Sequence, residues 1–187
     1  MMNKTENTFI ISDTHFDHGN IIRYCSRDFK NKDDMNTFLL NSWNNTVKDS
    51  DTVYFLGDLR YGRGSHSMQY WLDKLNGNIV FISGSHDNQI VEGLEPHHAL
   101  TLQYRDIPFL LIHNPADIPE DWKGWVIHGH AHNNDLEYFP LINGDFKTIN
   151  VSVELIGYSP LKIERLFELD FEKIKYLRDI NTPPIHY

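Results

Sequence analysis

Cysteine is nearly missing from this chain: Cys25 is the single one in 187 residues. No internal disulfide can form, so the fold must rest on its core, in keeping with a reducing compartment. Long apolar runs are missing too. The longest reach about four residues, against the roughly 20 that a membrane-spanning helix needs. Met1 to Phe9 lacks the apolar stretch of a signal peptide, so no membrane partner is expected and the expected location is the cytoplasm. Positive charge is also scarce. Seventeen Lys and Arg face 26 Asp and Glu, the net charge is −9, and no segment gathers the basic residues into a stripe. Tight binding to duplex nucleic acid depends on neutralising many phosphates and is therefore disfavoured, as is a nuclease with a basic groove. No repeat or low-complexity tract interrupts the chain.

What is present fits one globular domain over residues 1–187, with a loose tail from about residue 181 at Asn181-Thr182-Pro183-Pro184. Short apolar runs recur: Phe9-Ile10-Ile11, Val53 to Leu56, Ile79 to Ile82, Phe109 to Ile112, Trp125-Val126-Ile127 and Ile149 to Val153. Their length and Val/Ile/Phe content suit strands buried on both faces. Helical spacing links Met35, Phe38, Leu39 and Trp43 after the start signals Asp33 and Asp34. It links Met68, Trp71, Leu72 and Leu75 before Asn76-Gly77, and Ile163, Leu166 and Phe167 after Ser159-Pro160. The expected fold class is α/β, with two sheets packed face to face and helices outside.

Histidines and aspartates fall where these runs end. Asp13 and His15 follow the first; Asp58 follows the second, after Gly57; Ser85, His86 and Asp87 follow the third, after Gly84. His113 ends the fourth, and Gly129-His130-Ala131-His132 ends the fifth. Open α/β sheets place their sites at the carboxyl ends of strands. Each motif alone has a bland reading, since Gly-Asp is commonly a turn and a surface histidine pair needs no metal. Their joint occurrence, each at a strand end, is what points to a site. In an extended segment residues i and i+2 share a side, so His130 and His132 are expected to face one site together.

The set Asp13-Thr14-His15, Gly57-Asp58, Gly84-Ser85-His86-Asp87, His113 and Gly129-His130-Ala131-His132 resembles the calcineurin-like metallophosphoesterases, above all their small stand-alone bacterial-type members. The resemblance runs from Ile10 to about Leu166. It implies a four-layer fold, a two-sheet core flanked by helices, and two divalent metal ions drawn from Mn, Fe, Zn or Ni. Carried over residue by residue, Asp13, His15 and His132 would hold the first ion, His113 and His130 the second, and Asp58 would bridge them. Carboxylates and imidazoles suit such ions better than a soft thiolate site does. The implied activity is hydrolysis of phosphomonoesters or phosphodiesters, nucleotides among them, by in-line attack of a metal-bridging hydroxide. His86 would then protonate the leaving group. The alternative is a catalytically weak scaffold of the same fold that binds proteins.

One position departs from the family pattern. The third motif is normally Gly-Asn-His-Asp or Gly-Asn-His-Glu, and its asparagine carbonyl is a ligand of the second ion; Ser85 offers only a short neutral hydroxyl. That leaves weak coordination, a water held in the amide's place, or a loosely held second ion. Substrate contacts are expected from Arg60, through its forked donors, and from His18. His128 should support the turn, His66, His97, His98 and His186 should lie on the surface, and Cys25 should be a small buried residue.

Overall fold

The computed structural model describes residues 8–87, 91–104 and 106–187. Its elements in chain order are β1 (Thr8–Ile11), α1 (Gly19–Tyr24), α2 (Lys32–Thr46), β2 (Thr52–Phe55), α3 (Met68–Leu72), β3 (Asn78–Phe81), β4 (Ala99–Tyr104) and β5 (Ile107–Ile112). There follow β6 (Trp125–His128), β7 (Ile142–Asn143), β8 (Thr148–Asn150), β9 (Leu161–Lys162), α4 (Ile163–Glu168), β10 (Ile174–Leu177) and β11 (Ile185–His186).

Two sheets result, one in the order β3-β2-β1-β9 and one in the order β11-β10-β7-β8-β6-β5-β4. Strands β1, β2 and β3 are mutually parallel in sequence order, as are β5, β6 and β8. The carboxyl ends of both parallel sets therefore gather their following loops on one edge. Ile10, Ile11, Val53, Phe55, Phe109, Leu111, Ile127 and Ile149 are all at most 1% exposed, which accounts for the β-branched and aromatic content of the apolar runs. The mixed α/β architecture, with two sheets flanked by helices, is the one expected from the sequence.

The sheets touch where the site lies. Beyond β1, the Ser12 N–H donates to the Val151 carbonyl (3.1 Å), and the Val153 N–H donates back to Ser12 (3.2 Å). The loops after β1 and β2 run side by side: the Asp13 N–H donates to Gly57 (2.9 Å) and the His15 N–H to Asp58 (3.0 Å).

Several local expectations shift. Helix α2 begins at Lys32, and its cap is Asn31, whose side chain accepts from the Asp33 and Asp34 N–H groups, which therefore occupy the first turn. Helix α3 ends at Leu72, and Leu75 lies in the turn before Asn76-Gly77. Ser159-Pro160 leads into β9, and the tail helix starts only at Ile163. Strand β4 has no continuous apolar run; it is half exposed and forms a sheet edge paired antiparallel to β5. The tail expected to be loose from about residue 181 carries β11, paired with β10.

Candidate metal centre

Two donor groups form at the shared strand edge. Asp13, His15 and His132 make one, and Asp58, His113 and His130 make the other; within each, the donor atoms all lie within 4.8 Å of one another. Asp58 joins them: its Oδ2 lies 3.4 Å from His15 Nε2 and 3.5 Å from His113 Nε2. In the first group, Asp13 Oδ1 stands 3.9 Å from His15 Nε2 and 3.6 Å from His132 Nε2. In the second, His130 Nδ1 is 3.2 Å from His113 Nε2.

These separations suit atoms that converge on one ion at roughly 2.0–2.2 Å each. Asp13 Oδ1 and His15 Nε2 are both buried and without a hydrogen-bond partner. Buried polar atoms ordinarily have partners, and two orphans aimed at one point fit an ion. The opposite ring nitrogens are occupied. His113 Nδ1 donates to the Leu56 carbonyl at 2.7 Å, His132 Nδ1 meets Glu154 Oε1 at 3.0 Å, and His15 Nδ1 meets His18 Nδ1 at 3.3 Å. A partner on the far nitrogen fixes the ring and the tautomer, the arrangement metal-ligating histidines adopt.

The backbone holding these side chains is strained. Asp13, His15, Asp58, His130 and His132 all have φ between 50° and 67°, the left-handed region that non-glycine residues rarely occupy, at a cost of roughly 1–3 kcal/mol each. The extended geometry expected for His130 and His132 is thus corrected: both lie in a turn, and they join different donor groups. The turn is tight because Gly129 lacks a side chain. Its backbone donates to the His113 carbonyl at 3.0 Å, and a Cβ there would collide with Ser12 and with the Asp13 carboxylate. Gly129→Ala is therefore expected to displace Asp13 and weaken ion binding by about 10–100-fold, read by titration of the metal-free protein. Unchanged affinity would mean that the loop yields without moving Asp13.

Electrostatics sort the rings. Burial, opposed by Asp58, keeps His15 well below its ordinary pKa, in the neutral form a metal ligand needs. His130 is also lowered, by burial and then by His113. Burial acts downward on His113 and His132 as well, but Asp58 and Asp13 prevail and raise them to about 9 and about 11. Asp58 is pushed upward by burial and pulled further down by His113, His15 and the His86 N–H, so it stays ionised well below the usual range.

The other candidates surround these groups. His86 Nε2 is 3.9 Å from Asp58 Oδ2, its N–H donates to Asp58 Oδ1 (2.9 Å), and its ring packs on Tyr61 at 4.2 Å. The cleft over the centre, about 510 Å³, is lined by His15, His18, Asp58, Tyr61, His86 and His132 among others. Ser85 is exposed and lies at the rim of two neighbouring cavities, and Arg60 lines one of them. His128 is buried, with Nδ1 2.8 Å from the Gly129 carbonyl. Cys25 is 2% exposed. His66 is exposed at the surface as expected, and its Nδ1 lies 3.0 Å from Asp17 Oδ2.

Two residues, Arg27 and Glu154, escaped the sequence reading, and Asp87, named there only as part of its motif, holds two loops together. Arg27, 4% exposed, donates to the Asp13 and Thr14 carbonyls (2.8 and 2.9 Å) and pairs with Glu154 (2.7 Å). Glu154 in turn orients His132. Asp87 accepts from the Asp58, Leu59 and Gly84 N–H groups and so draws the third loop onto the second. Glu154 does close the apolar run after β8, a signal of the same kind as Asp13; nothing local marks Arg27.

Comparison with known proteins now bears on this geometry. No family model matches the chain. An uncharacterized protein of Methanocaldococcus jannaschii, MJ1445, is 45% identical over 175 residues, covering 92% of this chain and 96% of that one. The chain belongs to the MJ1445 family. Among solved structures, the protein of unknown function AQ665 from Aquifex aeolicus superposes on this MJ1445-family chain with a TM-score of 0.63 at 23% identity, over 87% of this chain and 98% of that one. YfcE, a phosphoesterase from E. coli, matches at a TM-score of 0.43 and 12% identity over 78% of each chain. At 23% identity the likeness to AQ665 shows a shared fold: this MJ1445-family chain has the fold of AQ665.

Proposed function

We propose that this MJ1445-family chain is a metal-dependent phosphoesterase that acts on small phosphate esters. One observation carries the reading: two three-residue donor groups meet at Asp58, with the orphaned Asp13 Oδ1 and His15 Nε2 turned into the space between ligands. Asp13, His15 and His132 would hold one divalent ion, His113 and His130 a second, and Asp58 both. Such ions, when bound, activate water and offset charge on phosphate oxygens. The chain's own contribution is to orient the ligands through His18, Leu56 and Glu154 and to keep Asp58 ionised. His86 places a titratable ring at the cleft and is the candidate donor of a proton to the departing oxygen.

Aryl phosphate mono- and diesters supplied with Mn, Fe, Zn or Ni test the reading. Turnover that depends on added ion is expected; a folded, ion-loaded protein inert toward both substrate types with every ion would favour the scaffold reading. Ser85 sets a second test. Restoring an amide with Ser85→Asn is expected to raise occupancy of the second ion, and turnover with it, when metal is limiting. Equal metal content by elemental analysis and equal rates in both proteins would refute that role for position 85.

A further inference from the structure

Beside the cleft lies a smaller cavity of about 290 Å³, lined by Arg60, Tyr61, Gly62, Arg63, Ser85 and His86. It shares Tyr61 and His86 with the cleft, so the two lie side by side. In a chain of net charge −9, it gathers two guanidinium groups and a histidine and has no carboxylate in its wall. Among the described residues, the arginines that form ion pairs are Arg27 and Arg178, not Arg60 or Arg63. Arg60 Nε is buried and has no hydrogen-bond partner. A buried, unpartnered guanidinium nitrogen is costly unless a ligand completes it.

The loop is also held in place before any ligand arrives. Its start is fixed by the Tyr61 N–H on the Phe16 carbonyl (3.1 Å), and Ser65 Oγ closes the turn on Gly62 (2.6 Å). At its far end the His66 N–H donates to Asp17 Oδ2 (2.9 Å), and the same carboxylate oxygen accepts from Trp71 Nε1 (2.9 Å). A site built in advance loses less entropy when it binds.

We propose that this cavity receives a second phosphate, carried by the leaving group, so that the substrate is a diphosphate such as a nucleoside diphosphate rather than an isolated monoester. The inference rests on the phosphoesterase reading and deepens it. In the reaction, a water oxygen bonds to the terminal phosphorus and the bond from that phosphorus to the bridging oxygen breaks. The bridging oxygen departs on the inner phosphate, which Arg60 and Arg63 hold by forked, charge-assisted hydrogen bonds, and it takes a proton from His86. The products are orthophosphate and the nucleoside monophosphate, and no oxidant or reductant is needed.

The test compares AMP with ADP, which share a nucleoside, on the ion-loaded protein. A kcat/KM for ADP at least about ten-fold above that for AMP is expected, the size of one or two hydrogen bonds to a charged group. Calorimetric titration with AMP and with α,β-methylene-ADP, in which the bridging oxygen is replaced, should give the same ranking as dissociation constants. In Arg60→Gln, Arg63→Gln and the double variant, each checked by circular dichroism melting, both ratios should fall, in the double variant to within about three-fold of unity. A wild-type ratio near one, or a ratio kept in the double variant, overturns the subsite. Aryl phosphate turnover without an ADP preference refutes the subsite alone. Absence of aryl phosphate turnover with every ion removes the parent reading, and the subsite with it.

Discussion

Asp58→Asn is expected to lower kcat toward aryl phosphates by about a thousand-fold or more, even with ion in excess. Asp58 reaches both donor groups, at 3.4 Å from His15 and 3.5 Å from His113. It is 2% exposed and stays ionised across the neutral range, because His113, His15 and the His86 N–H together outweigh its burial. An amide of equal size keeps an oxygen to accept the His86 N–H but removes the charge and one acceptor that two ions would share. The variant should therefore fold while its ion content falls below that of the wild type. Elemental analysis after gel filtration, beside single-substrate kinetics, separates the two effects. Near-full ion-dependent turnover in Asp58→Asn would refute a shared bridge.

Arg27→Ala is expected to cost about 3–5 kcal/mol of stability, the usual result of removing one member of a buried ion pair. The guanidinium touches no candidate ligand side chain. It spans the Asp13 and Thr14 carbonyls and the Glu154 carboxylate, and Glu154 holds His132. Its loss leaves Glu154 buried without its strongest partner and loosens the backbone at Asp13. Glu154→Leu in the same protein should restore part of the loss, because the stranded charge is then gone. Urea unfolding of the two single variants and the double variant gives the coupling, and additivity within about 0.5 kcal/mol would show that the pair does not act as a unit.

The same pair fixes an acid limit. Burial pushes Glu154 upward, but Arg27 and then His132 hold it down at about 2, below its ordinary value of 4.5. A carboxyl lowered on folding contributes stability in full above its unfolded value, and that contribution fades as pH falls toward the folded one. Wild-type stability should therefore decline between about pH 4.5 and about pH 2, and the decline should be shallower in Glu154→Gln. Parallel acid limbs in the two proteins would place the acid sensitivity elsewhere.

Much of the site was legible in the sequence because each candidate ligand closes an apolar run. The carboxyl end of a buried parallel strand is where the chain must turn, and where a polar side chain can point out of the sheet without breaking it. The order Asp13, His15, Asp58, His113, His130, His132 was therefore informative before any contact was known. The parallel strands β1, β2, β5 and β6 were legible for the same reason. Strand β4 was not, since an edge strand needs only alternate apolar residues, and neither was β11, which is two exposed residues long and carries no apolar run.

Spacing alone did not divide those residues; the family resemblance implied a division, and the tertiary structure brings them into two donor groups. Spacing alone placed His130 and His132 on one side of an extended strand; the left-handed turn at both, allowed by the missing side chain of Gly129, sends them to different donor groups. Tertiary structure also decided which residues hold the ligands. Arg27 reaches the site from 127 positions away from Glu154 in sequence, and Asp87 staples a loop 29 positions before it. Arg60 gains its meaning only from a wall shared with His86 and from a guanidinium nitrogen left without a partner. Residue type and strand-end position are local properties that the sequence carries by itself. Which buried charge meets which partner depends on chain crossings that no local pattern encodes.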